Sequence, residues 1–225
     1  MTRVKEFYKV RLKSKALAIG QRTKGRTFRP CVETLPSSTL SGALAEYFPG
    51  ERIAAIGFLQ PESYARAFFM YSPRDPRTGS SLLPLTLEYL APAPESDYVE
   101  GDVYLPRTPR ADLLVRSLPL EFHMGALRYR GFGLCQLEVI GLVTATDDPR
   151  RKGSQFAYVK GYFGGEIRDN ELQEFGITVI APRYGYLFEP DSRNPRSGQY
   201  RRAIFPGSLI EAPAFLVAEE YKYDV

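Results

Sequence analysis

The sequence predicts an α+β fold in which strands predominate. Three observations lead there. Residues 4–13 alternate, with Val4, Glu6, Tyr8, Val10 and Leu12 on one side and Lys5, Phe7, Lys9, Arg11 and Lys13 on the other, the period-two pattern of a strand. Leu40, Ala43, Leu44, Tyr47 and Phe48 instead keep helical spacing. Finally, 13% aromatics without tryptophan, 18 prolines and 19 glycines among 225 residues suggest many short strands separated by turns. That length suits one large domain or two small ones, and 44% hydrophobic with 25% charged residues are ordinary globular values.

Taken in order, residues 4–13 form a strand whose second face carries four cations and one phenylalanine. Such a face is either solvated or an RNA-binding platform. Residues 20–36 read as a basic loop, in which Arg22, Lys24, Arg26 and Arg29 meet no nearby carboxylate before Glu33. The helix follows, with Ser37, Ser38 and Thr39 as candidate N-caps and Pro49-Gly50 as its stop. Gly42 costs the helix about 1 kcal/mol against alanine; close packing or the approach of a ligand accounts for it. A hydroxyl-rich helix start is a capped end or an anion site.

Strands are then expected over 52–59, 65–71 and 82–90, with turn-rich loops at 72–81 and 91–97 and a short helix over 109–117. The composition of 144–153 marks the best internal boundary, giving a first domain of residues 1–145 and a β-rich second one of 146–225. In the second, residues 155–167 and 177–188 read as strands around a short helical or turn segment. Residues 191–200 form a polar loop, and a further strand lies within 208–221.

The richest stretch is Arg128-Tyr129-Arg130-Gly131-Phe132-Gly133, running into an apolar strand from Leu134. Gly131 and Gly133 allow backbone angles closed to other residues, and their N–H groups can cup an anion. Arg128 and Arg130 supply planar forks for phosphate oxygens, and Phe132 a face on which a base could stack. The plainer alternative is a hairpin turn with a strand after it. Net charge is +4 with a pI near 9.0, which permits nucleic-acid binding without demanding it. Cys31 and Cys135 stand alone, so neither a zinc site nor a disulfide framework is expected and a reducing cytoplasm is the simplest home. No apolar run reaches membrane-span length, and the N-terminus lacks a signal peptide's apolar core.

The order strand, basic loop, Leu35-Pro36-Ser37-Ser38-Thr39-Leu40-Ser41-Gly42-Ala43-Leu44, several strands, then Arg128 to Leu134 resembles the RAMP superfamily of CRISPR-associated proteins. There a Pro-Gly-Ser-Ser-hydrophobic-x-Gly-Ala segment starts the first helix and an Arg-x-Arg-Gly-Phe-Gly segment precedes a late strand. Pro36, Ser37, Ser38, Leu40, Gly42, Ala43 and Arg130 to Gly133 match, and the glycine after Pro36 is missing. The resemblance covers residues 1–145. It implies a ferredoxin-like, RNA-recognition-motif-related fold, with room for a second, degenerate unit of that kind in the β-rich C-terminal half. It also implies the role of the subunit that caps the 5′ handle of the guide RNA (crRNA) in type III or related type I, IV and VII effector complexes. Its partners would be the crRNA, the large subunit, the first backbone subunit and, indirectly, the target nucleic acid. The implied RNA-binding residues are Lys24, Arg26, Arg29, Ser37, Ser38, Thr39, Gly42, Arg128, Arg130, Gly131, Phe132 and Gly133. The basic strand face would lie on the same path.

Two other readings compete. His123, the only histidine, precedes the glycine loop and could act in a metal-independent endoribonuclease that processes precursor crRNA. A β-rich domain that binds no nucleic acid is the other. Asp75, Asp97, Asp102, Asp147 and Asp148 fall in expected loops without metal-ligand spacing, and neither a nucleophile triad nor a Walker loop is present. No metal or cofactor is expected, and no catalytic residue beyond the candidate His123.

Overall fold

The computed structural model describes residues 4–20, 28–48, 52–80, 83–147, 155–190 and 197–218. Along the chain run β1 (Val4–Ser14), β2 (Phe28–Arg29), β3 (Thr34–Leu35), α1 (Ser37–Tyr47), β4 (Ile56–Leu59), β5 (Tyr64–Tyr71), β6 (Leu85–Pro92) and β7 (Val99–Pro106). There follow α2 (Pro109–Arg116), β8 (Leu120–His123), β9 (Leu134–Thr146), β10 (Gln155–Phe156), β11 (Tyr158–Phe163), β12 (Ile167–Arg168) and α3 (Leu172–Phe175). The last elements are β13 (Thr178–Ala181), β14 (Tyr184–Pro190), β15 (Gly198–Ile204), β16 (Leu209–Pro213) and β17 (Val217–Ala218). The fold is α+β and strand-rich, and no helix among the described residues is long and apolar enough to cross a membrane.

The main sheet has the order β10-β9-β1-β7-β4-β3, with β8 also paired to β9. β1, β4, β7 and β9 alternate in direction, and α1 and α2 link β1 to β4 and β7 to β9. Both helices pack on one sheet face. Leu40, Ala43 and Leu44 of α1 and Ala111 and Leu114 of α2 join Val10, Leu12, Val103, Leu105 and Leu137 in one buried cluster. This is the apolar side of β1 that the alternation predicts. β7 was not anticipated from sequence. Its outward Glu100 and Asp102 look loop-like alone, but they face Lys9 and Arg11 across the sheet, which moves Asp102 from an expected loop into a central strand.

The other sheet face differs from expectation. Phe7 is fully buried against Phe175 and Phe215, together with Ile56, Tyr104, Val143 and Ala145, under residues of the C-terminal half. The cations of β1 are matched by acids: Lys9 lies 2.7 Å from Asp102, Arg11 3.4 Å from Glu100, and Lys13 2.8 Å from Glu138. Lys5 donates to the Gln173 carbonyl. This face is therefore a covered, ion-paired surface and no open platform.

Three smaller sheets complete the fold: β2-β6-β5, β13-β16-β11-β17 and β12-β15-β14. β15 replaces the end of the expected polar loop, because Gln199 to Arg202 pair with β14 although their side chains face solvent.

Candidate nucleic-acid interface

α1 begins where Pro36, with φ −58°, ends the extended run from β3. Contrary to the expected side-chain caps, no hydroxyl caps this helix. Ser37 is buried, and its hydroxyl donates to Glu171 at 3.0 Å while its N–H donates to the Glu166 carbonyl at 3.1 Å. The N–H groups of Thr39 and Leu40 go to the Pro36 carbonyl. Ser38 and Thr39 are left at the edge of a cleft of about 940 Å³, with Gly42 one turn further along its wall. A Cβ at Gly42 would meet nothing within 4 Å, so packing within the chain does not explain this glycine.

The opposite wall is the chain leaving β8: His123, Met124, Gly125, Ala126, Leu127 and Arg128. It is tied to the residues after β1, with Ala126 N–H donating to the Ala18 carbonyl at 2.7 Å and Gly133 N–H to Ala16 at 2.6 Å. Gly125 has φ +89°, and a Cβ there would run into the Ala18 carbonyl. Leu127 is held at φ 53°, which costs a side-chain-bearing residue about 1–2 kcal/mol. A single 3-10 turn, Arg128–Arg130, follows directly and ends at Gly131, again in the left-handed region. Arg128 then reaches α1, its Nη1 lying 2.9 and 2.8 Å from the two Glu46 oxygens.

The cleft floor is ionic. Arg168, 1% exposed, donates to Glu171 at 2.6 Å and to Glu189 at 2.7 Å. Arg52 lies 2.8 Å from Glu189 and donates to the Ser37 carbonyl at 3.3 Å. Four arginines (Arg29, Arg52, Arg128, Arg168) and two carboxylates (Glu46, Glu189) line the cleft; with Glu171 beneath them, paired to Arg168 and 3.5 Å from Arg52, the balance is still positive, which suits an anion.

Of the residues singled out in the sequence, Arg29, Ser38, Thr39, Gly42, His123 and Arg128 converge on this cleft. Lys24 and Arg26, with Arg22, lie outside the described residues. Ser37 lies beneath the helix start. Arg130 is exposed with its Cζ 5.5 Å from the centroid of Tyr71, itself a lining residue. Gly131 is exposed at φ +87°. Phe132 departs from the expected stacking role. It is 7% exposed, with its ring 5.3 Å from Phe69 and 4.9 Å from Tyr89, so it is core. Gly133, at φ +73°, is buried against Met124. Sequence reasoning missed Arg52, Tyr71 and Arg168; Arg168 does have a local partner, Glu171 three residues on, but the contacts that bring Arg52 and Arg168 together run to Glu189, far along the chain.

His123 is half-buried; its backbone pairs with Leu134 of β9, and its imidazole has no hydrogen-bond partner among the described residues. Burial pushes the Cys31 thiol up to about 11 and that of Cys135 to about 12, so neither is a thiolate at neutral pH.

No protein-family model matches the chain, and no curated protein matches it in sequence. In structure it is similar to a chain of the type III-B Cmr-beta bound to cognate target RNA, with a TM-score of 0.55 at 11% identity, over 90% of this chain and 86% of that one. A chain of Cmr-beta bound to cognate target RNA and AMPPnP gives 0.54 at 11% identity over the same shares, 90% and 86%. A chain of a CRISPR RNA-guided surveillance complex gives 0.47 at 16% identity over 94% and 93%. At these identities the likeness to the Cmr-beta chains is one of fold, and it extends over both halves of the protein.

Proposed function

We propose that this protein is a non-catalytic RNA-binding subunit of a CRISPR effector ribonucleoprotein, holding the 5′ handle of the crRNA in the cleft between α1 and the glycine-rich wall. The observation that carries the reading is convergence. Two motifs far apart in the sequence place Ser38, Thr39 and Gly42 opposite Arg128 in one arginine-lined cleft. The shared fold with Cmr-beta chains supports it. So does topology: the element order β1-α1-β4-β7-α2-β9 with sheet order β9-β1-β7-β4 is compatible with a ferredoxin-like, split β-α-β unit.

In this reading a phosphate sits at the α1 N-terminus, where backbone dipoles favour negative charge. Gly42 lets the sugar-phosphate chain approach the helix, and Arg29 and Arg52 neutralise charge. Arg128 exchanges its surface pairing with Glu46, worth at most about 1 kcal/mol, for a phosphate. The large subunit and a backbone subunit are the proposed neighbours, target nucleic acid is contacted indirectly, and the cytoplasm is the proposed site of action. His123 in the cleft supports a second reading as an endoribonuclease, but among the described residues no side chain orients its imidazole.

The test is a salt titration of affinity for repeat-derived RNA. Affinity should fall steeply between about 50 and 200 mM salt, with a log–log slope near −0.7 for each phosphate neutralised. Gly42→Leu fills open space and raises helix propensity by about 1 kcal/mol, so it should leave the fold intact and weaken binding. Glu46→Gln should tighten it. A flat titration, or a Gly42→Leu protein that binds like the parent, overturns the cleft. Specific cleavage of precursor crRNA that disappears in His123→Ala would establish the enzyme reading instead.

A further inference from the structure

Beside the helix-facing cleft, the hairpin β14–β15 presents an unusual face. In an antiparallel pair, directly opposed residues share a side, and the register opposes Tyr186 to Arg202 and Phe188 to Tyr200, with Tyr184 one step further on the same side. Tyr184, Tyr186 and Tyr200 are 54%, 65% and 63% exposed. The opposite side of the hairpin sends Leu187 and Ala203 into the protein, and on the tyrosine side Ile204, opposite Tyr184, is buried while Tyr186, Tyr200 and Arg202 stay exposed.

Three tyrosines on one solvated sheet face are not what solubility selects; charged and small polar residues serve there. Their surroundings are cationic. The Arg202 Cζ sits 4.6 Å from the centroid of the Tyr184 ring, and its Nε pairs with Asp169. Among the described residues from 183 to 204, the charged ones are Arg183, Arg201 and Arg202 against Glu189, to which Arg201 is paired. The face is also continuous with the cleft. Phe188 and Glu189 line the cleft, and the Phe188 ring lies 5.4 Å from that of Tyr200 in an edge-on contact. Successive same-side residues on a strand are about 7 Å apart, a step that one nucleotide of an extended single strand can take.

We infer that this hairpin face is a stacking platform for single-stranded RNA that continues the path of the cleft. Rings bind bases whatever their identity, and arginines beside them hold the backbone. The platform would therefore hold the RNA segment leaving the cleft without reading its sequence. The inference rests on the RNA reading of the cleft, and the experiment separates the two.

The probes are unstructured oligouridylates of about 8 and about 16 nucleotides, within and at the limit of typical single-strand site sizes. The readout is the ratio of affinities, long over short, for the full chain. This ratio is insensitive to a fraction of protein that fails to fold. The parent should prefer the longer RNA. Tyr186→Ala with Tyr200→Ala should reduce that preference by about fivefold or more, the loss expected when stacked bases lose a ring. Tyr186→Phe with Tyr200→Phe should keep it, because the stacking surface remains. Gly42→Leu should weaken both lengths and leave the ratio alone. An unchanged ratio in the alanine pair overturns the platform and assigns these tyrosines to a protein neighbour or to none, while the cleft stands if Gly42→Leu still weakens both. Loss of the ratio in the alanine pair with no effect of Gly42→Leu sustains the platform and overturns the cleft. A parent that binds neither length overturns both.

Discussion

At the scale of single residues, the Arg-x-Arg-Gly-Phe-Gly segment was legible as a loop in which backbone freedom matters, but not for the reason its composition suggests. The close approach at Gly133 is made by the protein's own Met124 carbonyl, and Met124 N–H donates back to the Gly133 carbonyl at 2.8 Å. Phe132 follows suit, because a ring next to a buried glycine is drawn into the Phe69 and Tyr89 cluster. Sequence spacing cannot tell approach by a ligand from approach by another strand. The two glycines should therefore part company on substitution. Gly133→Val puts a branched side chain at positive φ into a carbonyl, and should abolish folding or lower Tm by far more than its neighbour does. Gly131 sits at φ +87° with nothing within 4 Å of a Cβ. Gly131→Ala should then carry only the left-handed penalty of about 1–2 kcal/mol, a Tm loss of about 2–8 °C for a chain of this size. Thermal melts of both variants check this; equal losses would mean that Gly133 is not wedged against Met124.

At the scale of elements, the bounds of α1 were legible from its period and its Pro-Gly stop, whereas the way its start is held was not. The groups that satisfy Ser37 are the Glu166 carbonyl and the Glu171 carboxylate, both on the far side of the sequence. Thr34 of β3 also donates to the Glu166 carboxylate at 2.9 Å, so one residue ties β3 and the helix start to the C-terminal half. Burial holds the Glu166 carboxyl above its ordinary value, with the Thr34 hydroxyl opposing the shift. The sign of the effect on stability follows. Below its ordinary range the group is protonated in both states and contributes nothing. As pH rises, the unfolded chain ionises first and is favoured, and the cost is complete once pH passes the raised native value. Glu166→Gln keeps a carbonyl to accept from Thr34 and should be more stable than the parent near neutral pH. That advantage should shrink to nothing under acid conditions. Melting temperatures of the two proteins across pH test it, and an advantage that grows on acidification would show that the carboxylate is stabilised where it lies.

For the molecule as a whole, strand content was legible but strand order was not, since period-two patterns name a strand without naming its neighbour. The largest consequence is the fate of the Phe7 face. From sequence it read as either a solvated face or an RNA-binding platform; in the fold it is the seam between halves. Phe7 stacks on Phe175 at 6.1 Å, and Tyr104 stacks on Phe215 at 4.2 Å. Around them Ile56, Val143 and Ala145 from the first half meet Phe163, Ile167, Ile210 and Leu216 from the second. β10 also returns to pair in parallel with β9 in the main sheet. Separating the halves would expose this cluster on both sides, so they should unfold together. Calorimetry should show one transition, with its enthalpy equal to the van't Hoff value. Phe175, fully buried on the second half, gives the sharper test. Phe175→Ala should cost about 3–5 kcal/mol and shift that single transition down by about 6–20 °C. If the halves were independent, the same substitution would split the trace, moving one peak and leaving the β1-β7-β9 portion where it was.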